Sequence, residues 1–394
     1  MEKVLIVSDL RNAGGAAFAC IRIVNSLRST GTGVLHISSD RSANPREDEG
    51  ELFLGKKFLV LQQLLQGFHS DRWITKLRNK ELNKQLILLI RRYKPEYVNF
   101  HNLHSAGWTN SLVWTALKHI PVSWTLHDCW SFSGRYYPSH SPTADPEILN
   151  EINEFWEGIP AEKKLHPLSA VTPSKWMSKQ ASKSYWNGKT VQAIHNPVPK
   201  SYFQSRDRIA CKKALGLRDG KPIVLSVAGN LEEQRKGGPI LKRIIEETSK
   251  DDAQFLLIGN QTSIQETPGD KVKSLGVIND EITLQIAYSA ADLLLHPAPI
   301  DNLPNTVSES MSSGTPVLAF NTGGLPEMVI RQKSGWLVKE INSESMIKEL
   351  HAIIKSRAFE NLRESTRHTA SNLFDSKQIA QRYLDHFNLM KGNR

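Results

Sequence analysis

The sequence predicts an α/β protein of two domains, each built on a parallel sheet. Three observations lead there. Short apolar runs bounded by glycine and proline, such as Val4–Val7, Phe255–Ile258 and Val317–Phe320, read as buried strands. Helical patterns separate these runs, as parallel strands require. The 394 residues are enough for two domains at roughly 100–200 residues each.

The elements follow in order. Val4–Val7 is the first strand, and a helical run extends from the Gly14-Gly15 pair to Leu27. Glycine there lets backbone come close to a ligand at a helix start, although most such pairs are only turns. Leu35–Ser38 is a second strand, and the polar residues 41–52 read as loop. From Lys56 to Lys94 basic and large apolar residues alternate on helix-like patterns. They fit two amphipathic helices with solvated basic faces, or else a patch for an anionic membrane surface. Two strands end at His101 and at His127-Asp128, where α/β sites lie. Residues 142–167 read as helix and loop, Asn196-Pro197 as a stop, and Pro199–Gln204 as the interdomain linker.

The second half opens with a short helix, Cys211–Leu217, and a strand ending at Val227. Arg235-Lys236-Gly237-Gly238 then leads into a helix; a glycine-flanked loop lysine should contribute little to folding. Asp292–His296 is a buried strand closed by prolines. Asn302 can cap the next helix, and Pro304 suits its first turn. Asn305 and Glu309, four apart, share a helix face, and Asp301 sits in the loop above it. Free N–H groups at a helix start suit a phosphate. A carboxylate one turn further in suits sugar hydroxyls. The stretch therefore fits a ligand with diphosphate and sugar parts, or it is an ordinary capped helix with a solvated glutamate. Gly314 and Pro316 stop the helix, Gly335–Val338 is a last strand, and Asp375–Met390 is a helical tail.

Composition narrows the classes. Charged residues are 23% and hydrophobic residues 39%, as in a globular protein. No apolar run approaches the ~20 residues that span a bilayer. The start has too short an apolar core for a secretory signal. Three widely spaced cysteines, Cys20, Cys129 and Cys211, fit neither a disulfide framework nor a zinc pattern, so a cytoplasmic location is expected. The net charge of +10 suits an anionic substrate or membrane surface; no nucleic-acid-binding signature accompanies it.

Asp301 to Glu309, then Gly314-Thr315-Pro316-Val317 and Gly323-Gly324-Leu325-Pro326-Glu327, resemble the donor site of family 4 retaining glycosyltransferases. These are enzymes of the GT-B fold, in the group 1 or exopolysaccharide-biosynthesis type. Asp301 stands where that family has its first glutamate. Asn230 stands where it has an arginine, and Lys236-Gly237 matches its Lys-Gly. The run from Trp124 to Gly134 resembles a subgroup making extracellular polysaccharides. The resemblance spans nearly the whole chain.

It implies two Rossmann-like domains facing each other across a cleft. Residues 1–198 would bind the acceptor, 199–370 a nucleotide-sugar donor, and 371–394 would form a helix crossing back. The implied reaction is retaining transfer from a nucleotide-diphosphate sugar to a glycan or lipid-linked acceptor. No metal or other cofactor is expected, since no Asp-x-Asp motif occurs. Lys236 with Arg235 would hold the diphosphate, assisted by amides near Asn305 and Thr306. Glu309 would hold the ribose, Asp301 the sugar, and His127 would orient that sugar. Gly14, Gly15, Asn302, Leu303 and Pro304 complete the expected donor site. Two alternatives stay open: a nucleotide-sugar-binding protein without transferase activity, and a phosphorylase or epimerase on the same fold.

Overall fold

The computed structural model describes residues 2–11, 14–39, 49–51, 71–135, 137, 146–161, 165–217, 220–262 and 271–391. The chain divides into two compact units, Met1–Ile194 with Lys377–Arg394, and His195–Ser376.

The first unit carries β1 (Lys3–Val7), β2 (Gly33–Ser38), β3 (Glu49–Glu51), β4 (Tyr97–Phe100), β5 (Val122–Thr125), β6 (Leu168–Thr172) and β7 (Val191–Ala193). They form one sheet in the order β3-β2-β1-β4-β5-β6-β7, and every pairing is parallel. The second unit carries β8 (Ile223–Asn230), β9 (Gln254–Asn260), β10 (Val272–Ser274), β11 (Leu293–His296), β12 (Val317–Phe320) and β13 (Gly335–Val338). Their order is β10-β9-β8-β11-β12-β13, again all parallel. Both orders are Rossmann-like. In each sheet the winding reverses once, between β1 and β4 and between β8 and β11. Ligands of such sheets bind outside the strand ends at that reversal.

Helices cover both faces of the second sheet, so its strands are apolar on both sides. Leu225, Leu294 and Val317 pack into one cluster, while their neighbours Val224, Leu295 and Leu318 pack into the other. The alternation is the period of two of an extended chain. In the first unit, helix Gly15–Ser29 lays Cys20, Ile23, Val24 and Leu27 against Val4 and Ile6. The last helix, Ser376–Lys391, adds Ile379, Tyr383 and Phe387 to that same cluster.

Two expectations are corrected here. Residues 41–52 are not all loop: Glu49–Glu51 is an edge strand on β2, a place where charged side chains are tolerated. Pro199–Gln204 is not a bare linker. Lys200–Phe203 is a 3-10 turn whose Tyr202 is buried in the second unit's core. In the basic stretch the second of the two expected helices is Asp71–Tyr93; the part before Asp71 lies outside the described residues. Leu82, Leu86 and Ile90 are buried along one face of that helix. Lys80, Lys84, Leu88 and Arg91 lie exposed along it.

Candidate functional site

In the second unit the reversal point holds Lys236 and Asp301 together. After β8 the chain turns through Gln234–Lys236 and enters helix Gly238–Glu247. Gly237 has φ +80°, and a Cβ there would collide with the Pro297 carbonyl just past β11. Only glycine lets the two backbones lie this close. Gly323, with φ +59°, lies likewise against the backbone of Asp301, and the Gly324 N–H donates to the Asp301 carbonyl at 3.0 Å. Two glycine turns thus fix the loop after β11 from both sides.

Lys236 Nζ donates to Asp301 Oδ2 at 2.7 Å, and Asp301 Oδ1 accepts the Asn302 N–H at 2.9 Å. His296 Nε2 stands 3.8 Å from Oδ2. Asp301 is 5% exposed. Burial pushes its carboxyl pKa up, but Lys236, His296 and Arg235 outweigh that and hold it below the usual range. Burial and the charge of Lys236 push His296 down to about 4 against the pull of Asp301, so it is neutral at pH 7. The net result is a buried carboxylate that anchors one ammonium. Lysine has three donors and Asp301 Oδ2 engages one, so the ammonium retains capacity for an anion.

The helix after this loop is Asn305–Ser312, and its cap is Pro304, not Asn302. Asn302 lies two residues before that cap, buried in the loop, with its N–H donating to Asp301 Oδ1. Pro304 supplies no side-chain cap to the first turn at Asn305 and Thr306. Leu303 packs into the core beside Val307 and Met311, so its side chain is structural. Glu309 is buried, and its Oε2 accepts the Tyr288 hydroxyl at 2.8 Å. Arg235 is turned onto Glu233, with Nε to Oε1 at 2.9 Å. Its charge still reaches Asp301 and helps hold that carboxyl low. Asn230 is exposed and uses Oδ1 to accept the Glu232 N–H.

The remaining expected residues belong to the first unit. Gly14 has φ +83° and opens helix Gly15–Ser29, with clear space where a Cβ would stand. His127 follows β5 and meets His101, which follows β4: His101 Nδ1 and His127 Nε2 are 2.8 Å apart. His101 Nε2 lies 3.0 Å from Asn99 Oδ1, and the Asn99 amide nitrogen donates to the Ser123 carbonyl. That pattern assigns the protons. His101 must donate from Nε2, so its Nδ1 accepts from His127 Nε2–H, and His127 Nδ1 is an acceptor. Burial lowers the pKa of both rings, His127 to about 4, which keeps the chain neutral.

The pairings themselves lie outside what local sequence shows. Lys236 and Asp301 are 65 residues apart, and Tyr288 precedes Glu309 by 21. The signal for His296 was present, a histidine closing an apolar strand, but nothing local ties it to Asp301. Among the described residues no cluster of histidine, cysteine and carboxylate side chains could hold a metal ion. Likewise none of the described helices is long and apolar enough to cross a membrane.

Residues 222–356 match the family described as Glycosyl transferases group 1. The chain is 22% identical over 204 residues to the N-acetyl-alpha-D-glucosaminyl L-malate synthase of Bacillus anthracis, covering 50% of this chain and 52% of that protein. The chain thus spans about half the length of that curated relative. Its fold is similar to sucrose-phosphate synthase from Thermosynechococcus elongatus, with a TM-score of 0.77, 17% identity and 100% of each chain covered. It is also similar to Anabaena Alr3699/HepE in complex with UDP, with a TM-score of 0.70, 17% identity, and 98% and 99% of the two chains covered. The architecture is the GT-B fold of glycosyltransferases.

The pairing of Lys236 with Asp301 revises what removing the lysine should do. Lys236→Ala leaves Asp301 buried without its cation, so unfolding free energy should fall by about 1–3 kcal/mol, discounted for the partial exposure of Lys236. Asp301→Asn in the same chain should recover most of that loss. Denaturant unfolding of both single variants and the double variant measures it; additive losses would show that the pair is not coupled.

Proposed function

We propose that this chain, whose second unit is a glycosyl transferases group 1 domain, is a retaining glycosyltransferase that needs no metal ion. It takes a nucleotide-diphosphate sugar and transfers the sugar to a hydroxyl of a glycan or lipid-linked acceptor. The observation that carries this reading is the Lys236 ammonium, anchored by buried Asp301 at the sheet's reversal point, beside a helix start with no side-chain cap. The solved relative bound to UDP supports a nucleotide ligand for this fold.

The chemistry follows from where charge develops. The anomeric carbon–oxygen bond to the diphosphate breaks, and a bond to the acceptor oxygen forms on the same face. A nucleoside diphosphate and a proton are released. The departing diphosphate gains negative charge, so a pre-placed ammonium contributes most in the transition state. Glu309, held by Tyr288, takes the ribose hydroxyls, and Asp301 takes the sugar while positioning Lys236. The acceptor Nδ1 of His127 orients a hydroxyl of the transferred sugar. The resemblance of the Trp124–Gly134 run supports a role in cell-surface or extracellular polysaccharide synthesis. Three free, buried cysteines support a cytoplasmic location.

The exposed stripe Lys80, Lys84, Leu88 and Arg91 supports peripheral contact with anionic lipid, each basic residue contributing about 1 kcal/mol near such a surface. Flotation with anionic vesicles at low salt should carry the protein upward; protein that stays at the bottom removes that part of the reading. The transferase reading is tested with labelled UDP-, ADP- and GDP-sugars and product analysis. A glycoside of unchanged anomeric configuration is expected, formed equally well in chelator. Glu309→Gln should weaken both the free nucleoside diphosphate and the intact donor. Asp301→Asn should weaken the free nucleoside diphosphate through the loosened Lys236, and the intact donor or its transfer more strongly still. Each lost charge-assisted bond should cost about 1.5–3 kcal/mol. A sugar phosphate or an epimerised nucleotide sugar as product would contradict the reading.

A further inference from the structure

The turn between β8 and helix Gly238–Glu247 holds a second cation next to Lys236, and that cation carries an anion of its own. Arg235 Nε donates to Glu233 Oε1 at 2.9 Å, and Arg235 Nη2 to Glu233 Oε2 at 3.4 Å. Two donors of one guanidinium meet two oxygens of one anion, the same fork that arginine offers to a phosphate. Glu233 thus makes, within the chain, the pairing that a phosphate would make with this arginine.

The backbone of the turn is pinned, while these two side chains stand at the surface. The Glu233 carbonyl accepts the Lys236 N–H at 2.9 Å and the Gly238 N–H at 3.1 Å. The preceding carboxylate, Glu232, accepts the Thr262 N–H at 2.7 Å and the Thr262 hydroxyl at 3.1 Å, which ties the turn to the chain just past β9. The side chains of Glu233 and Arg235 are 40% and 27% exposed. A pair that exposed stabilises little, so exchanging its anion for another costs little. The charge of Arg235 acts on Asp301, the carboxylate that holds Lys236. The guanidinium therefore stands near enough to serve an anion that the ammonium holds.

We propose that Glu233 is a stand-in for the diphosphate: it occupies the Arg235 fork until a nucleoside diphosphate displaces it, and it thereby holds down the affinity for that ligand. The inference rests on the nucleotide reading of this site. An arriving diphosphate takes the guanidinium, and the Glu233 carboxylate turns to water, which already reaches it. Without this competitor the second cation would bind the diphosphate at full strength. The same nucleoside diphosphate is the product of the transfer, and product release sets the rate of many enzymes. Glu233 therefore trades tight binding for exchange of the nucleotide.

Calorimetric titration of UDP, ADP, GDP and their nucleosides tests this on the full chain, in the wild type, Glu233→Gln, Arg235→Ala and the double variant. Glu233→Gln should bind the preferred diphosphate roughly three- to fivefold more tightly, about the most that an exposed pair contributes, and its nucleoside unchanged. In the Arg235→Ala background the same change should give no such gain, because the fork it frees is gone. Diphosphate affinity that is unchanged or weaker in Glu233→Gln would overturn the proposal. So would an equal gain with and without Arg235, which would make Glu233 a repelling charge and not an occupant of the fork. A wild type that binds none of the three diphosphates sinks the donor reading and this proposal together. A wild type that binds one, with either comparison failing, sinks this proposal alone.

Discussion

The bond between Lys236 and Asp301 ties the second unit's sequence to its chemistry. It exists because two backbones come close enough for only glycine to separate them, at Gly237 and Gly323. It places a carboxylate 5% exposed under an ammonium that keeps two further donors. A lone lysine on a glycine-rich loop would be a loose point charge on a flexible stem. Anchored from below, it is pre-organised, and pre-organised charge is what makes an electrostatic contact effective in a transition state. Neutral His296 completes the surroundings without adding a competing cation.

The first unit uses buried imidazole differently. His101 and His127 form one chain with Asn99, and burial keeps both rings neutral. His386 on the last helix is a third neutral ring, with Nε2 near Ser123 and Ser169 and Nδ1 near Gln192. That ring explains part of how the last helix is fixed on the first sheet, together with Tyr383 and Phe387 in the core.

Strands buried on both faces were legible in the sequence. Val4–Val7, Leu293–Leu295 and Val317–Phe320 are apolar without interruption because helices cover both sides of their sheets. β3, β7 and β10 were not legible. They are three-residue edge strands reading Glu-Gly-Glu, Val-Gln-Ala and Val-Lys-Ser, too short and too mixed to form an apolar run. The individual site residues could be named because spacing and resemblance pointed to each. Their pairing could not, since it depends on how strands 65 residues apart are ordered. Asn302 illustrates the limit: cap chemistry was right in type, but the helix begins later, at Asn305, with Pro304 as its cap. Arg235 illustrates it again, since chain neighbours on a tight turn face different ways and its fork went to Glu233.

The central claim is that Lys236, anchored by Asp301, is the cation for a nucleoside diphosphate. The most direct measurement is calorimetric titration of nucleoside, monophosphate and diphosphate into the wild-type chain and into folded Lys236→Gln. The account predicts that the wild type prefers the diphosphate over the nucleoside, and that the variant loses at least tenfold of that preference while binding the nucleoside unchanged. A variant that keeps the wild-type ratio would contradict it.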